Sequence, residues 1–171
     1  NKTGTTVKKK VKSLEDTLVS GVAMDKNQVR LSITELPDRP GAAAAIFKVM
    51  SESGVVVDMI VQNVARNGKA NLTFTVPSED AFRAEKALKE HFQGQVGGKL
   101  GKSTNIAKIS VVGVGMRSHS GVASKFFEAL ANAGINMLMI STSEIKISVG
   151  VSPENCDDAT RVAHQAFDLG K

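Results

Sequence analysis

The chain of 171 residues has no tryptophan, no tyrosine and one cysteine, Cys156. A lone thiol excludes an internal disulfide and a zinc site built from several cysteines, and it fits a reducing compartment. With 7 Phe spread along the chain and no other aromatic, there is no evident platform on which single-stranded nucleic acid would stack. No apolar run approaches the roughly 18 residues that cross a bilayer. The Lys- and Thr-rich start lacks the apolar stretch of a secretory signal. A cytoplasmic location without membrane or nucleic-acid partners is the expectation. Acids are missing from residues 1–12, which carry Lys2, Lys8, Lys9, Lys10 and Lys12. From residue 13 onward bases and acids balance at 17 each, so the net charge of +5 belongs to a short basic arm. A basic-armed nucleic-acid-binding protein remains an alternative of a different class, although a lysine run is commonly a solvated tail. At 42% hydrophobic and 23% charged, the composition is that of a globular protein. The length suits one ordinary domain or two small ones.

A repeat organises the chain. At an offset of 80, Gly41, Ala43, Phe47, Gly54, Met59 and Ile60 fall on Gly121, Ala123, Phe127, Gly134, Met139 and Ile140. At an offset of 75, Val76, Glu79, Ala84 and Phe92 fall on Val151, Glu154, Ala159 and Phe167. Val29–Leu36 and Ile109–Val114 read as strands. A helix over Ala42–Ser53 matches one over Ser120–Ala133, with Gly54 and Gly134 where a helix C′ glycine belongs. Val55–Val61 and Ile135–Ile140 read as buried strands. Asn67-Gly68 signals a hairpin into Ala70–Val76, and a tighter connection near Ser143-Glu144 leads to Ile145–Val151. Ser78 and Ser152 are candidate N-caps of the last helices, which run to about Phe92 and Phe167. Each repeat is thus β-α-β-β-α and wants a fourth strand. The candidates are Leu18–Met24 and Gln95–Leu100. The second repeat has no residues left after Phe167, so Leu18–Met24 is expected to fill its vacant edge and interlock the two repeats.

The doubled unit, with a Pro-Gly or Ser-Gly turn at its first strand–helix junction, resembles tandem ACT domains. The wording of GVAMDKNQVRLSITELPDRPG (21–41), VDMIVQNV (57–64), LTFTVP (72–77) and INMLMISTSEIKISV (135–149) resembles the regulatory half of aspartate kinase over about residues 15–168. The resemblance implies an α+β fold of two ferredoxin-like ACT domains, βαββαβ in type, each with a four-stranded antiparallel sheet and two helices. The expected divisions are a basic leader or linker over 1–17, a first repeat over 18–101 and a second over 102–171. Aspartate kinase phosphorylates the β-carboxylate of aspartate with ATP, opening the pathway to lysine, threonine and methionine. Nothing here resembles its kinase domain. There is no P-loop, and Gly113-Val114-Gly115 lacks a third glycine because position 118 is Ser. The chain is therefore expected to be inactive alone, as a regulatory subunit or a C-terminal piece. ATP and Mg would belong to the absent kinase domain, and no cofactor is expected in this chain. An ACT-type effector module of another amino-acid pathway enzyme is the nearer alternative.

An amino-acid effector presents a carboxylate, which suits the orphan N–H groups and positive dipole end of a helix N-terminus. Those positions are Arg39, Pro40, Gly41 and Ala42 in the first repeat, and Ser120, Gly121 and Val122 in the second. The ammonium wants an acid. Asp38 is placed for it, whereas its counterpart Ser118 is uncharged, so the two sites differ. The side chain would be read by Gln62 and Asn63 in one repeat and by Asn136, Ser141, Thr142, Ser143 and Glu144 in the other, with Glu144 able to pair a lysine ammonium. Threonine, lysine or both are the implied ligands. In the family such sites lie between ACT domains, often of different chains, which implies a homodimer. No two His are spaced as metal ligands, and neither a metal nor a catalytic residue is expected. His91 and His164 are expected to face solvent. Met59, Met137 and Met139 read as core filler. Cys156, near a helix start, sits where a thiol pKa is lowered.

Overall fold

Apolar–polar alternation through Val29–Ile33 marks one face of a strand that proves to be 17 residues long, β1 (Gly21–Pro37). The computed structural model describes residues 19–64, 67–92, 97–114, 116 and 121–169. The second half of β1 pairs antiparallel with β3 (Lys69–Pro77), and at Ile33 and Thr34 with the short β4 (Lys99–Leu100). Its first half pairs antiparallel with β5 (Thr104–Val112), with Gly21 opposite Val112 and Asp25 opposite Lys108. Beyond β3 lies β2 (Ile60–Val64). Beyond β5 lie β7 (Lys146–Val151) and then β6 (Met139–Thr142). The order is β2-β3-β1-β5-β7-β6, with β4 beside β1.

Each unit therefore has four strands, but β1 belongs to both, and the two sheets form one continuous sheet. Gly21–Met24 lies against β5 and fills the fourth place of the second sheet; Leu18 and the basic leader lie outside the described residues. Lys99–Leu100, from the other candidate segment, fills the fourth place of the first unit.

Among the described residues, four α-helices cover the sheet. In the first unit, α1 (Ala42–Glu52) and α2 (Ala81–Phe92) pack together; in the second, α3 (Val122–Asn132) and α4 (Cys156–Ala166) do so. Ala42, Ile46 and Met50 recur every four residues and are buried, and their repeat partners Val122, Phe126 and Leu130 are buried likewise. The first core joins these to Leu31, Ile33, Leu72, Phe74 and Leu88, with Phe47 edge-on to Phe74 at 5.5 Å. The second joins Ile109, Val111, Val149 and Cys156. Val19 and Val22, early in sequence, pack into the second core rather than the first. No helix among the described residues is long and apolar enough to cross a membrane.

Both first helices end in the same hydrogen-bond pattern. Gly54 N–H donates to Ser51 and Val55 N–H to Met50, while Gly134 N–H donates to Ala131 and Ile135 N–H to Leu130. These bonds consume Val55 and Ile135, which is why the expected strands over Val55–Val61 and Ile135–Ile140 begin later, at Ile60 and Met139. Only Val55 and Met59 are buried ahead of β2, whose own residues are largely exposed because it is an edge strand. The last helices also differ from expectation at their starts. A 3₁₀ turn precedes each, over Ser78–Asp80 and Pro153–Asn155, and the Ser152 hydroxyl makes no cap. The Ser152 carbonyl instead accepts from Asn155 N–H at 3.0 Å.

The sheet curls until its outer strands β2 and β6 approach one another. Its helix-free face carries hydroxyl pairs beside a buried apolar patch: Ser32 meets Thr73 at 3.3 Å and Ser110 meets Ser148 at 2.8 Å, while Ile106 and Met139 are buried against Gly150.

Val19, 4% exposed, tests the sharing of β1. Val19→Ala should cost about 2 kcal/mol in urea melts. Methyl NMR shifts should centre on Val111 and Ile147. Shifts centred instead on Ile46 and Leu88 would mean that Val19 supports the first unit.

Candidate functional site

Backbone geometry first fixes where the two helix entries lie. Because β1 and β5 run antiparallel, the loop from β1 into α1 and the loop from β5 into α3 sit at opposite ends of β1. Both helices start from a glycine in the left-handed region, Gly41 at φ 91° and Gly121 at φ 107°. Neither would meet another atom within 4 Å if given a Cβ, so glycine is required there by backbone conformation and not by crowding. Arg39, Pro40 and Gly41 are exposed and Ala42 is buried. Ala42 N–H turns back onto the Arg39 carbonyl at 3.2 Å. Asp38 is exposed, and its N–H donates to the Gly68 carbonyl at 2.9 Å, tying the β2–β3 turn to the α1 entry. The second unit repeats this tie: Gly113 N–H donates to the Ile145 carbonyl at 2.9 Å. Asn67 and Gly68 both have positive φ, at 65° and 68°, in keeping with the hairpin signal. Ser118 and Ser120 lie outside the described residues, as does His119.

In the second unit a groove of about 460 Å³ opens between the start of α3 and the β6–β7 turn. Met116, Ala123, Thr142, Ser143, Glu144 and Ile147 line it. Val122 is buried at the start of α3 and belongs to the core below. Ser143 shapes the turn: its Oγ accepts from Lys146 N–H at 3.2 Å, and its N–H donates to the Lys146 carbonyl at 2.8 Å. Thr142 lies opposite Ile147, and Ser141 opposite Ser148, so these neighbours project to the two faces of the sheet. Thr142 faces the helix side, with the groove, and half-buried Ser141 faces the polar side. Gln62 and Asn63 divide in the same way, opposite Leu72 and Asn71. Gln62, the repeat partner of Thr142, is on the helix side. Asn136 stands before β6, at the end away from Thr142 and Glu144, so a single chain does not bring it to this groove.

Several positioning groups do not emerge from the residue-by-residue reading. Glu35 adopts φ 57° at an irregularity in β1 between Ile33 and Leu36, just ahead of the α1 entry. Its carboxylate bridges Lys99 and Lys69. Hydrogen bonds from Lys99 and then Lys69 pull its pKa down to about 2 from an ordinary 4.5. A signal was present: after Val29, Leu31 and Ile33 the next core residue is Leu36, so the alternation slips by one at the bulge. Cys156 departs from expectation. It is buried in the second core, 4.0 Å from Met24 Sδ, and burial pushes its thiol pKa up. His91 and His164 are half-buried rather than fully solvent-facing. Met59 and Met139 are buried in keeping with core filling, and Met137 packs against the second core. Among the described residues no three His, Cys, Asp or Glu are grouped to hold a metal.

Residues 29–93 and 109–167 each match the ACT domain family. Aspartokinase of Pseudomonas aeruginosa is 45% identical over 164 residues, which are 96% of this chain and 40% of that protein. The chain thus spans about 40% of the length of the curated relatives it matches. The ligand-free regulatory subunit of aspartate kinase from Thermus thermophilus superposes with a TM-score of 0.81 at 40% identity, covering 88% of this chain and 99% of that one. Aspartate kinase from Synechocystis gives a TM-score of 0.80 at 41% identity, covering 90% of this chain and 28% of its own length.

Two substitutions test the loops. Gly41→Ala and Gly121→Ala should each lose about 1–2 kcal/mol in urea denaturation, while Gly21→Ala, at a glycine without positive φ, stays within about 0.5 kcal/mol. Equal behaviour of all three would show that the left-handed starts are not required. Glu35 is tested by pH. Its pKa is lowered by folding, so its contribution is present above pH 4.5 and is lost as pH falls toward 2. Glu35→Gln should melt at a lower temperature than wild type at neutral pH, with the difference closing across that window. A pH-independent difference would show that charge is not the cause.

Proposed function

The chain belongs to the aspartate kinase family, as its regulatory pair of ACT domains, and from that membership we propose that it binds an end-product amino acid, threonine foremost and lysine as well, for feedback control of aspartate phosphorylation. The observation that carries this reading is the groove at the start of α3, where Thr142, Ser143 and Glu144 face the first turn of the helix. A helix N-terminus stabilises a carboxylate, and an acid such as Glu144 stabilises an ammonium. In the first unit, at the other end of β1, Gln62 holds the place of Thr142, and Asp38 stands just ahead of the α1 entry. Arg39 to Ala42, and Gly121 and Val122, supply the helix entries; in the sequence Ser118 stands where the first repeat has Asp38.

A single chain supplies half of each site. The other half comes from a second chain, meeting this one along its exposed apolar edges. Val56, Ile60 and Val64 in and before β2 are 69%, 48% and 72% exposed, and Ile140 in β6 is 40% exposed. Unpaired strand edges of this kind invite pairing with another chain. Asn63, Asn136 and Ser141 would then serve that interface. Ligand and dimer are linked by mass action, because binding stabilises the assembled form. In the whole enzyme the assembled form favours an inactive arrangement of the kinase domain, which carries the ATP and Mg; this chain needs no cofactor of its own, and it works in the cytoplasm.

Titration calorimetry tests the reading. Threonine should bind, and Glu144→Gln or Asp38→Asn should weaken an effector by about tenfold, the equivalent of a lost charge-assisted contact. Sedimentation should show the dimer strengthened by the ligand. A flat trace with threonine, lysine and methionine alike would sink the proposal.

A further inference from the structure

Positions 58 and 138 are equivalent in the repeat, and their backbones are held alike. Asp58 N–H donates to Thr75 at 3.0 Å, and Leu138 N–H donates to Gly150, the repeat partner of Thr75, at 2.8 Å. Each position is also held by a cation from the central strand of the other unit. Lys108, on β5, pairs with the Asp58 carboxylate, and its side chain is only 17% exposed. Arg30, on β1, donates through Nη1 to the Leu138 carbonyl at 3.5 Å. Both ties lie on the helix-free face of the sheet, where β2 and β6 approach each other. Asp58 stands four residues before Gln62, and Leu138 stands four before Thr142, so each tie sits at the root of a strand that carries a candidate ligand-reading residue.

We propose that Lys108, with Arg30 as its counterpart, is a positioning residue that couples the two effector sites of one chain. A ligand that orders β2 at Gln62 holds Asp58, hence Lys108 and β5, the strand that runs on to the α3 groove. Order at Thr142 is returned through Leu138 and Arg30 to β1, which runs on to the α1 entry. The energetic basis is a half-buried ion pair, better insulated from screening than the exposed pairs on the helices. Coupling of this kind is reciprocal between the sites. The inference rests on the amino-acid reading above for its ligand, and on the geometry alone for the tie.

The test has two arms, both on the full chain. Without ligand, hydrogen exchange should quicken about tenfold in Ile60–Val64 for Lys108→Met, a change that keeps the aliphatic stem. It should quicken in Met139–Thr142 for Arg30→Ala, and Lys108→Arg should restore the wild-type rate. Unchanged exchange in both strands overturns the inference whatever the ligand. With threonine as the probe, wild type should bind with two coupled sites. Lys108→Met should keep the tighter constant within about twofold and lose the coupling, a factor of about 5 or more, and Lys108→Arg should retain it. Wild-type coupling in Lys108→Met overturns the inference. Absence of threonine binding in wild type overturns the effector reading, and leaves the exchange arm to decide the tie.

Discussion

One strand holds the molecule together. A β-α-β-β-α repeat leaves a sheet edge open, and an open edge with an apolar face beneath it is both unstable and prone to pair with other chains. The first repeat closes its edge with the two residues of β4. The second repeat closes its edge with Gly21–Asp25. Because those residues continue without a break into the central strand of the first unit, each unit's fourth place and each unit's register depend on the same backbone. Val19 and Val22 in the second core, and Leu31 and Ile33 in the first, are contributions of one continuous segment to two cores. The units therefore share one strand rather than sit as beads on a linker.

Most of this plan is legible in the sequence, because duplication writes it twice. Gly54 and Gly134, and Ile46 and Phe126, occupy matching positions, and the structure gives them matching hydrogen bonds and burial. What the sequence obscures is where apolar character serves a turn instead of a ladder. Val55 and Ile135 look like strand residues, yet they complete helix C-termini. Ser152 looks like a cap, yet its carbonyl and not its hydroxyl is used, since Pro153 starts a tighter 3₁₀ turn. Local propensity is the same in either role, and tertiary contacts choose between them.

The candidate site was readable in part for a geometrical reason. Residue types identified both helix entries and both strand ends. They did not reveal that Gln62 and Asn63, adjacent in sequence, must face opposite sides of the sheet, or that Asn136 and Glu144 stand at opposite ends of β6. Nor do they reveal distance. The two helix entries lie at the two ends of β1, so no single ligand can touch both within one chain. Ion pairs between units were illegible for the same reason: Asp58 and Lys108 are 50 positions apart and meet only once the sheet has curled.

Duplication also explains why the two ends need not do the same thing. Both hairpin turns are tied to the chain leaving the central strand, by Asp38 N–H to Gly68 and by Gly113 N–H to Ile145. Around that shared frame the side chains diverge. The first end has an acid at Asp38, and a bulge at Glu35 clamped by Lys69 and Lys99. The second has a short turn locked by Ser143 and a groove under Thr142 and Glu144. Backbone N–H groups at a helix start recognise any free carboxylate equally well, so on the proposed amino-acid reading discrimination would have to come from these divergent side chains. A duplicated backbone would then fix the common part of the ligand twice, and leave the distinguishing part free to differ at each end.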